Sequence, residues 1–229
     1  MIIDTTNLKK WPFALYITGC IQFIIISAIA MFLYKGGTYT DPSTTHYLFW
    51  FNYFSDLGRT VAHSGIANTL SFILFTITLS IWGLFQIPFY IMFPRFFNES
   101  KGLKKFSLTG SIFGIFTGIF YVGIALTPSD VAYLFHDFFV FLGFGSIFIS
   151  IVFYTIVMFK DNRYNNFYAI VFTISAIILG TYFIILSFTP NGQTTKGLFI
   201  YVVGQKFMIY TLLICGILQG FGALSHISS

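Results

Sequence analysis

Long apolar runs, nearly free of charge, alternate with short polar interruptions along this chain. Six such runs cover roughly 11–34, 67–93, 106–126, 131–159, 166–188 and 197–223. A bilayer's hydrocarbon core is about 30 Å thick and an α-helix rises about 1.5 Å per residue, so about 20 apolar residues cross it. The pattern predicts an all-α polytopic membrane protein, a bundle of six transmembrane helices forming one domain over residues 1–229. Most interruptions are short. Only the first connection, residues 35–66, is long.

The first run follows Lys9 and Lys10 and contains Ala28-Ile29-Ala30, which has the look of a signal-peptide cleavage box. The run is longer than the roughly 7–15 apolar residues of a signal sequence, so it reads as a retained helix. The third and fifth runs both end in Thr-Pro. Thr127 as N-cap, with Pro128 and Asp130 after it, would start the fourth helix. Pro190-Asn191-Gly192 reads as a tight turn. Within the first connection, Asp41-Pro42-Ser43 has the form of a helix start, and Tyr47 to Phe54 is strongly aromatic. This stretch is either a short interfacial helix or a loop packed over the bundle.

Composition strengthens the membrane reading. Of 229 residues, 56% are hydrophobic and 8% charged, against about 25% charged in ordinary soluble domains. That excludes a cytosolic enzyme, a disordered chain and a nucleic-acid binder. The formal charge of +5 is therefore read as topology. Lys9, Lys10, Arg95, Lys101, Lys104, Lys105, Lys160 and Arg163 fall on one side of the spans, and only Lys35, Arg59 and Lys196 on the other. The positive-inside rule then predicts cytoplasmic termini in a cell membrane, with residues 35–66 facing outward. Two cysteines without a CxxC spacing exclude a disulfide framework. Cys20 and Cys215 read as small core residues, and Gly110, Gly114 and Gly118 as a smooth helix face for close packing.

The chemistry-bearing residues gather on the outward side. Lys206 lies about 14 Å into the last helix, where a charge costs roughly 3 kcal/mol or more and needs a partner. Asp137 is the first candidate and Asp56 the second. Such a pair would serve either helix packing or a ligand. His136 and Asp137 are adjacent on a helix, so their side chains diverge by about 100°. His136 could instead meet Asp130 or Asp56. His63, His136, Asp56 and Asp130 could supply a metal set, yet no spacing forces them together. No metal or other cofactor is assigned. Ser55 or Ser64 with His63 or His136 would be the serine–histidine alternative, without a G-x-S-x-G sequence.

The segment Asn52-Tyr53-Phe54-Ser55-Asp56-Leu57-Gly58 resembles the N-x-x-S-D-L-G motif of a prokaryotic six-helix membrane protein family of unknown function. It also resembles the eukaryotic DRAM-like family of autophagy modulators, with Leu57 favouring the prokaryotic group. Pro128-x-Asp130 followed by His136, and Lys206 in the last helix, fit the same pattern. The resemblance implies a six-helix bundle with a polar site built from Ser55, Asp56, His136 and Lys206, and no particular reaction. Two functions are open. One is a binding protein whose outward pocket (Ser55, Asp56, Arg59, His63, His136, Asp137, Lys206) holds a lipid headgroup or small anionic solute, with membrane lipids as partners. The other is a membrane-embedded lipid hydrolase or transferase, metal-dependent in one version.

Overall fold

The computed structural model describes residues 9–188 and 194–228. Six long helices carry the apolar runs: α1 (Trp11–Leu33), α2 (Thr69–Met92), α3 (Lys101–Leu126), α4 (Tyr133–Lys160), α5 (Asn166–Phe188) and α6 (Thr195–Ser228). Each is long and apolar enough to cross a membrane. The Pro190-Asn191-Gly192 turn lies outside the described residues.

Successive helices pack side by side, and α1 also packs on α6, which closes a ring. The sides of the ring are apolar. Phe32, Leu134, Phe141, Ile177 and Phe207 are all exposed, as a surface solvated by acyl chains allows. The interior is aromatic: Phe13, Tyr16, Phe23, Trp82, Phe89, Tyr90, Tyr121 and Tyr154 are buried there. Small residues let the helices approach. A Cβ on Gly83 would lie 2.6 Å from the Gly118 carbonyl oxygen, and one on Gly114 would lie 2.4 Å from the Tyr90 ring. The Gly110-Gly114-Gly118 face thus receives α2 and α4 at van der Waals distance. Cys20 and Cys215 are buried and free.

The two ends of the bundle differ. One carries the first connection between α1 and α2 and is called here the connection end. The other, the tail end, carries the turns after α2 and α4 and the end of α6.

The start of α4 departs from the expected cap. The helix begins at Tyr133 after Ala132, with no side-chain cap. Thr127 instead closes α3, its hydroxyl donating back to the Gly123 carbonyl at 2.7 Å. Asp130 reaches across to the first connection. A carboxylate satisfies more donors there than at a single helix start, which is the physical reason for the difference.

Candidate functional site: a buried polar knot at the connection end

The first connection is a loop that dips into the bundle mouth, not an interfacial helix. Its only helical piece among the described residues is a 3-10 turn at Ser55–Gly58. Two glycines set its entry: Gly36 and Gly37 have φ of 84° and 79°, a region costly for other residues. Position 37 also has no room, since a Cβ there would sit 2.2 Å from the Ser64 nitrogen.

Asn52 is the centre of this loop and is fully buried. Its Oδ1 accepts from the Leu48 N–H at 2.9 Å. Its Nδ2 donates to the Gly37 carbonyl at 2.9 Å and to Asp56 Oδ2 at 3.0 Å. Asp56, only 4% exposed, also accepts the Tyr53 N–H at 2.9 Å and contacts His63 Nε2 at 3.1 Å. Each lone pair of the carboxylate that is used ties down a different part of the loop. Asp56 thus anchors the connection.

Lys206 enters the same knot from α6. It is 2% exposed. Its ammonium donates to the Tyr47 hydroxyl and, at 2.8 Å, to the Asn52 backbone carbonyl. It sits 4.2 Å from the Phe54 ring centroid and about 5 Å from those of Tyr47 and Phe49. The cation is therefore solvated by two oxygens and three aromatic faces. Asp56 is the carboxylate whose field reaches it, with Asn52 bridging the two. Neighbouring Gln205 accepts the Phe54 N–H at 2.9 Å.

This corrects the pairing expected from sequence. Asp137 is exposed, near the Tyr133 hydroxyl, and does not meet Lys206. Sequence reasoning placed the connection at the surface, so an acid at similar depth on another helix looked the natural partner. The loop instead descends to the lysine's depth. The aromatic stretch from Tyr47 to Phe54 was the available signal, since a buried ammonium needs such faces when no acid touches it.

The remaining fasteners surround the knot. The Leu57 carbonyl accepts from Asn68 Nδ2 at 3.2 Å and from the Ser71 hydroxyl at 3.1 Å. Gly58 lies against Phe75, where a Cβ would come within 2.6 Å. Asp130 accepts from Thr60 N–H, the Thr60 hydroxyl and Val61 N–H at 3.1, 2.7 and 2.9 Å. Burial raises the Asp130 pKa, but these hydrogen bonds outweigh it and hold the carboxyl below its ordinary value. Burial, reinforced by Asp56, raises the Tyr34, Tyr47 and Tyr53 phenols, so they remain protonated.

Of the candidate residues, the structure brings together Asp56, His63 and Lys206, with Ser55 and Arg59 on the same turn. It does not join His136 to them. His136 is buried and donates from Nδ1 to the Thr127 carbonyl at 2.7 Å, tying α4 to the end of α3, not to Asp130 or Asp56. The Ser64 hydroxyl donates to the Lys35 carbonyl at 2.7 Å, not to a histidine. Among the described residues, no three His, Cys, Asp or Glu side chains converge as a metal set. Asn52, Asn68 and Gln205 are the important residues that sequence reasoning did not assign to the knot. The chemical capacity left at the loop surface is narrow. His63 has its Nε2 engaged by Asp56, leaving Nδ1 as its second ring nitrogen. Arg59 uses its Nε on the Val61 carbonyl at 3.1 Å, leaving the terminal guanidinium nitrogens.

Six apolar helices closed by a polar loop make this an integral membrane protein. No protein-family model matches the chain, and no curated protein or solved structure is significantly similar to it.

Proposed function

We propose that the connection end faces outward and binds the anionic part of a lipid headgroup or small solute through Arg59 and His63. The observation that carries this reading is the Asp56–His63 contact at 3.1 Å. It holds the imidazole in one orientation, in the same loop as Arg59, whose Nε donates to the Val61 carbonyl and whose terminal nitrogens have no partner within the loop. Tyr34 links the two, since its hydroxyl accepts the His63 N–H at 3.2 Å and its field includes Arg59. Lys206 and Asp56 then support the binding surface from below without touching the ligand. The basic asymmetry of the chain supports the orientation, with both termini cytoplasmic. The N-x-x-S-D-L-G resemblance supports the choice of this loop.

The test is lipid retention in nanodiscs containing phosphatidylglycerol and phosphatidylcholine, read by native mass spectrometry. The wild-type protein retains phosphatidylglycerol several-fold over phosphatidylcholine, and the Arg59→Gln/His63→Gln variant loses the preference while staying folded. Equal retention of both lipids by the wild type overturns the reading. The same Asp56–His63 contact favours a second reading, a lipid hydrolase with His63 as general base. Lipid turnover that His63→Gln abolishes and Arg59→Gln spares would establish it instead.

A further inference from the structure

A second polar locus lies inside the ring, away from the connection. All six helices contribute to a small cavity lined by Tyr16, Trp82, Gln86, Tyr121, Phe172 and Cys215, among others. Its volume is about 10 Å³, room for about one water molecule. Gln86 is 1% exposed and Tyr121 is 1% exposed. Gln86 Nε2, the Tyr121 hydroxyl and Trp82 Nε1 are buried with no hydrogen-bond partner among the described residues.

Geometry explains why these groups meet. Helical side chains lean toward the N-terminus of their own helix. α2 runs away from the connection end and α3 runs toward it. Gln86, one turn beyond Trp82 on α2, therefore leans back toward Trp82. Tyr121 leans the opposite way and packs on Trp82 with ring centroids 4.8 Å apart. The Gly83–Gly118 contact brings the two helices close enough for this. Trp82 Nε1 has the Cys20 sulfur beside it, a weak acceptor, so Gln86 and Tyr121 carry the unmet demand. A buried amide or hydroxyl without a partner is costly in a low-dielectric interior. Both groups can donate, so the missing partner is an acceptor. An anion would bring a charge with no cation lining the cavity, and a larger ligand has no room.

We propose that this cavity is a binding site for one water molecule, which accepts from Gln86 Nε2 and hydrogen-bonds the Tyr121 hydroxyl, joining α2 to α3 inside the membrane. The water gives the ring a polar pin at the point where all six helices meet.

Brief X-ray radiolysis in nanodiscs tests this, because hydroxyl radicals formed from bound water oxidise the residues beside it. Tyr154 is the internal control. It is equally buried, but its hydroxyl is taken by Ser111 at 2.6 Å. Tyr121 should be oxidised several-fold faster than Tyr154, and Gln86→Leu should bring the Tyr121 rate down to that of Tyr154. Should Gln86→Leu fail to fold, Gln86→Met gives the same comparison with nearly the original shape. Equal oxidation of Tyr121 and Tyr154 in the wild type overturns the proposal. So does a Tyr121 rate that ignores the loss of the Gln86 amide.

Discussion

The two ends of this bundle are closed by different physics. At the tail end, Phe93, Phe96, Phe97 and Tyr164 pack in a continuous cluster, with Phe93 and Phe97 centroids 5.5 Å apart. His226 stacks on Tyr164 at 4.3 Å. Arg163 forms ion pairs at this end with Asp161 at 2.7 Å and with Glu99 at 3.3 Å. At the connection end, some thirty residues of loop are held by Asn52, Asp56, Asn68, Asp130 and Lys206. Apolar packing is spread over many weak contacts and tolerates shape-conserving exchange. A buried polar network concentrates its stability in a few atoms, and losing one strands several partners.

The largest effect therefore belongs to Asp56. Asp56→Ala leaves the Asn52 amide, the Tyr53 N–H and His63 without their acceptor and removes the carboxylate whose field reaches Lys206. It should cost about 3–5 kcal/mol, measured by equilibrium unfolding in detergent. A cost under about 1 kcal/mol would erase the contrast between the ends. Next comes the ion pair at the tail end. Arg163→Gln removes two short hydrogen bonds, at 2.8 and 2.7 Å, from the buried Asp161 carboxylate, and should cost about 1.5–3 kcal/mol.

A smaller loss is expected within the aromatic cluster. Phe97→Leu keeps the site apolar and most of its volume, so thermal unfolding should report a loss of about 1–1.5 kcal/mol. If this exchange proves as damaging as Asp56→Ala, the tail end is not the tolerant one.

The smallest effect is the acid dependence of Asp130. Its pKa is held below the ordinary value in the folded protein. Its contribution is therefore complete above the unfolded value of about 3.9 and is lost as pH falls through the lower folded value. Stability should drop on acidification below about pH 4, and Asp130→Asn should shrink that drop. An unchanged acid limb in thermal melts of Asp130→Asn would remove Asp130 from the loop's fasteners.

The helices were legible from hydropathy because crossing a bilayer demands an unbroken apolar run. The expected spans differ from the observed ones by a few residues, most at the polar start of α3 and at the end of α6, where Lys101 and His226 continue helices past the apolar stretch. The depth of Lys206 was also legible, since it is a charge inside an apolar run. The partner of Lys206 was not. Side-chain spacing along helices says nothing about how far a loop descends, and the Asn52 backbone carbonyl that receives the ammonium carries no sequence signal. Asp130 misled for a related reason: two residues after Pro128 it has the form of a local cap, but its donors come from Thr60 and Val61, about seventy positions away in the chain.

The central claim is that Asp56 and Lys206 belong to one network through Asn52, although they do not touch as an ion pair. A double-mutant cycle of Asp56→Asn and Lys206→Met, read by unfolding free energy in the same detergent, tests it most directly. With the ammonium gone, the carboxylate no longer offsets a buried positive charge. Asp56→Asn should then cost at least about 1 kcal/mol less in the Lys206→Met background than in the wild type. Costs that agree within about 0.5 kcal/mol in the two backgrounds would show the residues to be independent, and would contradict the account.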